Sequence, residues 1–427
     1  MLFSLDVIPA AEGDCMILHY GPKDKPRLAL IDGGPGGTYE RLKKRLQQIR
    51  DERDPDGPLP IELLMVSHMD DDHILGVLDL TRDLIQDDPQ FARVRAFWHN
   101  SFENVIGEVP PQLTADFTAR FVASSSGGLP PELTLDVEKD EKEVAASLKL
   151  LASIRNGAQL RSDIVNNLNV QLNPHFGGEL VAAEKDAKAV DLGGGLKLRV
   201  VGPMLPELKK LHAKHQAWLV ELAQQGKTAE DVLAAYVDRS PTNLSSIVVL
   251  AEAEGKRILF TGDALGNKVM EGLELAGLVE PGGSMHVDVL KVQHHGSQNN
   301  AALDFYQRVT ADHYVYSGDG KNGNPERESF EWLLEARGED EDYTIHLTYP
   351  VPQIDAAREA DWVMKQNEEK KRQSKNPDKK VKVRADWSPA EQSLRAFFKE
   401  HKEFAGRLSI VEEGEPHVID LLEELGF

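Results

Sequence analysis

Two histidines and three aspartates lie within six residues of this 427-residue chain: the segment His68-Met69-Asp70-Asp71-Asp72-His73. The apolar residues 61–66 precede it, apart from Glu62, and the mainly apolar residues 74–78 follow it. Like charges this close repel one another and raise each other's pKa unless a cation compensates them. Imidazole nitrogen together with carboxylate oxygen suits zinc, manganese or iron, whereas magnesium and calcium prefer oxygen ligands. We therefore expect a metal site on a loop between a strand and a helix.

The same aspartates have a second interpretation, as residues that stabilise the start of a helix. An aspartate at this position accepts hydrogen bonds from free backbone N–H groups and interacts favourably with the helix dipole. Capping explains one aspartate, but it does not explain why histidines lie on both sides of Asp70 and Asp72. The spacing therefore favours metal binding.

The segment resembles the signature of the metallo-β-lactamase superfamily, His-x-His-x-Asp-His, with Asp70 in place of the second histidine. This variant is similar to the branch that contains the hydrolase domain of ComEC-type DNA-uptake proteins and their stand-alone relatives. Other segments resemble that branch in the same order along the chain: residues 5–7, 13–18, 28–34, 243–250, 258–264 and 289–297. Together the matches span most of residues 1–350.

The resemblance implies an α/β fold, a four-layer αββα sandwich with the metals where loops of the two sheets meet. The strand pattern breaks after residue 100, where proline pairs and a Ser-Gly run indicate loops. We therefore expect a hydrolase core over residues 1–350, interrupted by an insertion at about 101–195 and by helices at 205–240. Residues 351–427 are predicted to form a charged helical C-terminal extension that ends in a β-hairpin.

By resemblance, two divalent ions, zinc or manganese, are the cofactors. His68 and Asp70 belong to the first ion and Asp72 and His73 to the second, while Asp263 bridges both. Either His294 or His295 supplies a further imidazole, and the sequence does not choose between them. Asp72 and His295 are the catalytic candidates, Asp72 because it would orient the attacking water. Taken alone, residues 261–263 would be an ordinary turn.

The chain departs from the family pattern at two further positions. Asn243 stands where the superfamily has its third histidine, and amide oxygen is a poor ligand for transition metals. The first ion should therefore bind more loosely, with manganese favoured over zinc. Asn324 replaces the histidine of a Gly-His-Pro-like turn, which argues against a general acid there. The candidates for substrate contact or for support of the metal ligands are Asp32, Asn243, His99, Ser297 and Asn324.

Several polar residues have simpler interpretations. His99 follows aromatic residues and is as consistent with a packed ring as with a residue at the rim of the cleft. Cys15 alternates within a strand pattern and is expected to be a buried small hydrophobe. The remaining histidines without ligand-like spacing are assigned to the surface or the core: His212, His215, His286, His313, His346, His401 and His417.

The net charge of −22 limits the class of partner. Proteins that follow duplex phosphates usually carry a basic surface, so tight duplex binding is disfavoured. A basic run from Lys370 to Arg384 is either a solvated linker or an arm that attracts phosphate. A single cysteine forbids an internal disulfide and fits a reducing compartment. No apolar run is long enough to span a membrane, so a cytoplasmic location is expected.

The expected function is hydrolysis of a phosphodiester by hydroxide activated at two metal ions, in a nuclease or phosphodiesterase. Single-stranded nucleic acid or a nucleotide is the favoured substrate. Two metals can also open an ester, thioester or lactone, so a small-molecule hydrolase is the first alternative. The second alternative is an effector subunit that is active only in a larger complex and contacts a partner protein through the insertion or the C-terminal helices.

Overall fold

The computed structural model describes residues 1–87, 89–100, 155–209, 245–338, 342–375, 382–412 and 414–427. Within these ranges the chain mixes helices and strands, so the predicted α/β class is confirmed. The strands are β1 (Leu2–Val7), β2 (Met16–Gly21), β3 (Arg27–Ile31), β4 (Leu59–Ile61), β5 (Leu63–Val66), β6 (Ala92–Val94), β7 (Phe97–His99), β8 (Val190–Gly193), β9 (Leu196–Gly202), β10 (Val248–Ala253), β11 (Lys256–Phe260), β12 (Met285–Lys291), β13 (Val309–Tyr316), β14 (Thr344–Leu347), β15 (Leu408–Ile410) and β16 (Val418–Asp420).

The helices surround these strands. They are α1 (Tyr39–Arg53), α2 (Asp71–Gln86), α3 (Gly266–Leu275), α4 (Leu303–Arg308), α5 (Arg327–Arg337), α6 (Val351–Lys375), α7 (Pro389–Gln392), α8 (Leu394–Glu400) and α9 (Lys402–Ala405). Residues 155–162 and 205–209 are also helical, whereas residues 101–154 and 210–244 lie outside the described ranges.

Two large sheets carry the fold. The six-stranded sheet has the order β16-β1-β2-β3-β5-β7, and the eight-stranded sheet has the order β15-β14-β13-β12-β11-β10-β9-β8. Strands β3, β5 and β7 run parallel to one another, as do β11, β12 and β13. Parallel neighbours end at the same edge of a sheet, so the loops that follow them lie side by side.

The strands next to the site are buried on both faces, which explains their nearly continuous apolar sequences. In β5, Leu63 and Met65 pack into a cluster that includes residues of the eight-stranded sheet, whereas Leu64 and Val66 pack against α1 and α2. The same alternation occurs in β11, where Leu259 belongs to a third cluster with α3. Successive side chains of a strand point to opposite faces. The two sheets therefore share one core, and each packs helices on its other face.

The predicted C-terminal hairpin is wrong. Strand β15 pairs in parallel with β14 in the eight-stranded sheet, and β16 pairs antiparallel with β1 in the six-stranded sheet. Each segment thus completes the edge of a different sheet. A turn sequence between two apolar runs predicts only that the chain bends there; which edge each run joins depends on residues far away in sequence. The C-terminal segment therefore contributes one strand to each sheet, in addition to the helices that the sequence predicted there.

Two other predicted features are described in part. The end of the insertion is attached to β7, because the side chain of Asn173 bonds the backbone N–H and C=O of His99, each at 2.9 Å. Within the basic run, Arg384 bonds Glu369 at 2.8 Å, and residues 376–381 lie outside the described ranges. In the described part of the chain, no helix combines the length and the apolar character needed to cross a membrane.

Three histidines assigned to structural roles form a line between the two sheets. His313 Nδ1 lies 3.0 Å from His346 Nε2, and His346 Nδ1 lies 2.9 Å from His417 Nε2. Burial lowers the pKa of His417 to about 4. Burial, reinforced by the two neighbouring rings, lowers the pKa of His346 as well. These rings stay neutral in the folded protein while they gain protons in the unfolded chain.

This line predicts a loss of stability on the acid side. Histidines of the unfolded chain bind protons below about pH 6.5, so the free energy of unfolding should fall as the pH drops from there toward 4. Each ring that stays neutral adds a slope of about 1.4 kcal/mol per pH unit. The free energy of unfolding can be measured by denaturant titration at several pH values between 7.5 and 4.5. Its decrease per pH unit should be smaller for His417→Gln than for wild type. His286→Gln, at an exposed histidine, is the control; equal slopes in all three proteins would contradict the prediction.

Candidate metal centre

Loops that follow strands of both sheets meet at one place. Each strand contributes at its carboxyl end: Asp32 after β3, His68 after β5, Asp263 after β11, His294 and His295 after β12, and Ser317 after β13. The sheets are held together here, since Ile247 N donates to Ser67 O at 2.8 Å. Gly262, with φ of +49°, brings its backbone so close to Ser67 that a Cβ would lie 3.0 Å from Oγ.

Asp263 lies at the centre of the cluster. Its Oδ1 is 3.3 Å from His73 Nε2 and 3.6 Å from His295 Nε2, and its Oδ2 is 3.5 Å from His294 Nε2. Asp72 Oδ2 lies 3.8 Å from His295 Nε2. One carboxylate from the eight-stranded sheet therefore faces imidazoles from both sheets. The structure brings together the residues that the sequence proposed as ligands of the second ion and as the bridge.

His68 and Asp70 lie beside this group. His68 Nε2 is 3.3 Å from Asp70 Oδ2, and its ring centroid is 5.6 Å from that of His73. Asp70 occupies the N-cap position of α2, yet its side chain makes no capping hydrogen bond. Asp71 accepts a hydrogen bond from Asn156 Nδ2 at 2.9 Å. Side-chain capping by Asp70 is therefore not observed.

Buried polar atoms in the cluster lack hydrogen-bond partners among the described residues. They are both ring nitrogens of His68, Nε2 of His73 and His295, and Oδ1 of Asp72 and Asp263. An unmade hydrogen bond of a buried polar group costs about 1–3 kcal/mol. Imidazole nitrogens and carboxylate oxygens that face one another at 3.3–3.8 Å are a donor set for zinc or manganese. The residues present therefore fit the divalent ions that the sequence implies.

The charges inside the cluster depend on one another. Burial alone would lower the pKa of His73, but Asp263 and Asp32 raise this pKa well above its usual value. Burial would raise the pKa of Asp263, but His294, His73 and His295 hold it well below its usual range. The Asp263 carboxylate is thus ionised, the state that binds metal. A divalent cation would take the place of the protons on these histidines.

Carboxylates hold two of the imidazoles from behind. Asp32 Oδ2 lies 3.0 Å from His73 Nδ1, and Asp32 also accepts from Ser67 N at 2.7 Å and from Ser67 Oγ at 2.5 Å. Asp14 Oδ1 lies 3.2 Å from His295 Nδ1. In both histidines Nδ1 is engaged and Nε2 faces Asp263, the arrangement typical of histidines that bind metal.

Sequence reasoning missed the residues around Asp14. Asp14 and Lys291 lie inside segments that resemble the family, but their sequence context assigns no role to them or to Ser317. Asp14, His73, Asp263 and His295 form one buried group whose ligand atoms lie within 4.8 Å of one another. A lysine within the apolar residues 289–292 was the available signal, because lysine is almost never fully buried unless it is paired.

The remaining residues that were predicted to contact substrate or to support the metal ligands differ in their surroundings. His99 is buried at the end of β7 with its ring stacked on Phe97, and burial lowers its pKa to about 4. Asn324 Nδ2 donates to His294 O at 3.3 Å and so supports the turn. Ser297 is buried and its Oγ accepts from Asn299 N at 3.3 Å. Asn243 lies outside the described residues.

The paired histidines have an unusual backbone. His294 has φ of +45° and His295 has φ of +55°, both in the left-handed region that non-glycine residues rarely adopt. Such residues cost of order 1–3 kcal/mol each and persist where the surrounding structure holds them. His294 N donates to Gly262 O at 3.0 Å, which joins this turn to the Asp263 turn. His294 is the more exposed ring and lies 2.8 Å from Asn300 Oδ1, whereas His295 is buried.

Comparisons with known proteins give short or distant similarities. No family model matches the chain. Human microtubule-associated protein 1A is 28% identical over 146 residues, 34% of this chain and 5% of that protein. The Drosophila melanogaster microtubule-associated protein futsch is 30% identical over 118 residues, 28% of this chain and 2% of that protein. The chain thus spans only a small fraction of the curated relatives that it matches.

Two solved structures are also similar. Zinc-bound PqqB from Methylobacterium extorquens has a TM-score of 0.36 at 10% identity, covering 98% of this chain and 100% of that chain. A β-lactamase domain protein from Burkholderia ambifaria has a TM-score of 0.27 at 16% identity, covering 76% and 69%. Neither TM-score is high enough to transfer a fold or an activity to this chain.

Proposed function

We propose that this chain is a metal-dependent hydrolase of the metallo-β-lactamase fold. The observation that carries the proposal is the position of Asp263, whose carboxylate faces His73 from one sheet and His295 from the other. The shared core of the two sheets, with helices on each outer face, supports the four-layer αββα arrangement. The order of the sequence segments supports the same family.

The ligands divide into two groups around Asp263. His68 and Asp70 would hold the first ion with Asp263, and Asp72, His73 and His295 would hold the second. We assign the coordinating imidazole of the pair to His295, because it is buried, whereas His294 lies on the more exposed side of Asp263. When bound, two such ions supply an activated water and stabilise the negative charge that develops in the transition state.

The residues of the chain then have separate tasks. Asp72, at the first turn of α2, is placed to orient the attacking water, since its Oδ1 has no protein partner among the described residues. Asp32 holds His73 through Nδ1. His294 has 29% of its side chain exposed, and we assign it to contact with the substrate. The two sheets bury the cluster and so exclude bulk water from its inner side.

A phosphodiester in single-stranded nucleic acid, or a nucleotide, is the substrate that we favour. The resemblance to the ComEC-like branch motivates this choice. The net charge of −22 disfavours a duplex, since duplex binding relies on a basic surface. Arg384 is paired with Glu369, which also weakens the basic run as a phosphate-binding arm.

The test is cleavage of labelled oligonucleotides by purified protein with Mn²⁺ or Zn²⁺. We expect single-stranded DNA or RNA to be cut faster than a duplex, and we expect Asp72→Ala to lose at least about 100-fold in rate, the upper end of losses for residues that only support a ligand. Lack of cleavage with either metal, or equal rates for wild type and Asp72→Ala, would contradict the nuclease assignment.

A small-molecule hydrolase is the second candidate, because the acidic surface suits a substrate that needs no basic footprint. A panel of chromogenic esters, thioesters and lactones distinguishes the two. One outcome is that the protein hydrolyses one of these compounds in an Asp72-dependent way but does not cleave oligonucleotides. The substrate assignment would then change to a small molecule, and the proposed metal site would stand.

A further inference from the structure

Lys291 is a fully buried lysine at the end of β12. Its Nζ lies 2.5 Å from Asp14 Oδ2, and both side chains are completely shielded from solvent. A charge in such a place is strongly unfavourable unless an opposite charge compensates it, and burial of the pair is weak evidence for a gain in stability. The pair therefore calls for a role other than stabilisation.

The second oxygen of Asp14 connects this pair to the metal centre. Asp14 Oδ1 accepts a hydrogen bond from Ser317 Oγ and lies 3.2 Å from His295 Nδ1. The serine oxygen is itself 3.1 Å from the same ring nitrogen. Ser317 thus bonds Oδ1, and the ammonium of Lys291 faces Oδ2 as an ion pair. We therefore treat Asp14 as a support for His295, although its carboxylate lies within 4.8 Å of the candidate ligand atoms.

The carboxylates behind His73 and His295 are held by different kinds of group. Asp32, behind His73, accepts from a backbone N–H and a hydroxyl, both of Ser67. Asp14, behind His295, accepts from one hydroxyl and faces the ammonium of Lys291. His295 also has a left-handed backbone at φ of +55°, and its Nδ1 contacts Asp14 and Ser317. Asp32 thus has two neutral donors, whereas Asp14 has one neutral donor and the ammonium of Lys291.

We propose that Lys291 is a positioning residue of the metal centre, which acts through Asp14 to hold the His295 ring with Nε2 toward Asp263. This inference rests on the proposed metal-dependent function. Without the ammonium, Oδ2 of Asp14 loses its compensating charge, and only the contacts of Oδ1 with Ser317 and His295 remain to orient the carboxylate. The ring that it supports then loses its alignment, whereas His68 and Asp70 keep theirs.

The test is metal binding by Lys291→Met, measured by competition for Zn²⁺ with a chromophoric chelator and by the absorption spectrum of the Co²⁺ protein. We expect one of two ions to bind about 10–100-fold more weakly, as for other residues that support a ligand, and the other ion to be unchanged. The Co²⁺ spectrum of the weakened site should change. Lys256→Met is the matched control, because Lys256 also pairs with an aspartate, Asp288, at 2.6 Å but lies on the surface of the sheet.

A double variant separates positioning from folding. Breaking one side of a buried ion pair strongly destabilises a protein, whereas removing both charges is often tolerated. Asp14→Ala/Lys291→Met should therefore fold, by circular dichroism and thermal unfolding, and still bind one ion weakly. If the double variant folds and binds both ions as tightly as wild type, the pair is structural only and the inference is overturned.

The failures of the two proposals are distinguishable. Wild type that binds two ions, with Lys291→Met binding them equally well and with an unchanged Co²⁺ spectrum, overturns the positioning role alone. Wild type that binds neither Zn²⁺ nor Co²⁺ overturns the metal-dependent function and this inference with it.

Discussion

Replacing Asp263 by alanine is expected to abolish tight binding of both divalent ions. Its two carboxylate oxygens face His73, His294 and His295, and no other carboxylate among the described residues has this position. A supporting residue typically contributes about 10–100-fold to metal affinity, so a shared ligand should contribute more than about 100-fold for each ion. Equilibrium dialysis followed by elemental analysis should find two ions in wild type and none retained in the variant.

Thermal unfolding gives a second readout of the same change. A ligand at a hundredfold excess over its Kd stabilises the folded state by about 2.7 kcal/mol. Zn²⁺ or Mn²⁺ should therefore raise the melting temperature of wild type and leave Asp263→Ala unmoved. Asp312→Ala, at an aspartate whose side chain is 48% exposed, is the control and should respond as wild type does. A variant at Asp263 that retains two ions would refute the bridging role.

Gly76→Ala is expected to destabilise the protein and to weaken metal binding, although Gly76 is no ligand. A Cβ at Gly76 would lie 1.9 Å from the backbone oxygen of Gly33, far inside contact distance. Helix α2 crosses the loop after β3 at this point, where Gly33 N donates to His73 O at 2.8 Å and Gly76 N donates to Gly34 O at 3.0 Å. The helix must move away, and Asp72 and His73 move with it.

We expect the free energy of unfolding to fall by about 1–3 kcal/mol, the range typical of overpacking. Tight Zn²⁺ binding should be lost as well. Urea titration and chelator competition measure the two parts. Gly36→Ala is the matched control in the same loop, since its Cβ would meet only Leu75 Cδ1 at 3.8 Å, an ordinary contact. Equal stability and affinity in both variants would show that α2 is not held by this close approach.

Much of the candidate site is predictable because its information is local. His68, Asp70, Asp72 and His73 lie on one strand end and one helical turn, so their spacing alone places them together. The later residues, Asp263 and the pair His294 and His295, could be proposed only through the resemblance to the family. The structure then places them at the ends of β11 and β12, parallel strands that end at one edge of the sheet. The α/β class follows from the same alternation of apolar strands and helices. The metal-binding roles themselves stay predictions until ions are measured.

The rest required the tertiary structure. The pairing of Lys291 with Asp14 joins residues more than 270 positions apart, and a single charge in each segment does not show which partner it has. The strands β15 and β16 were predicted as a hairpin and instead joined different sheets. The line of His313, His346 and His417 exists only because β13, β14 and the approach to β16 lie side by side. Sequence spacing determines neighbours within a turn or along a strand, whereas contacts between sheets are selected by the packing of the whole chain.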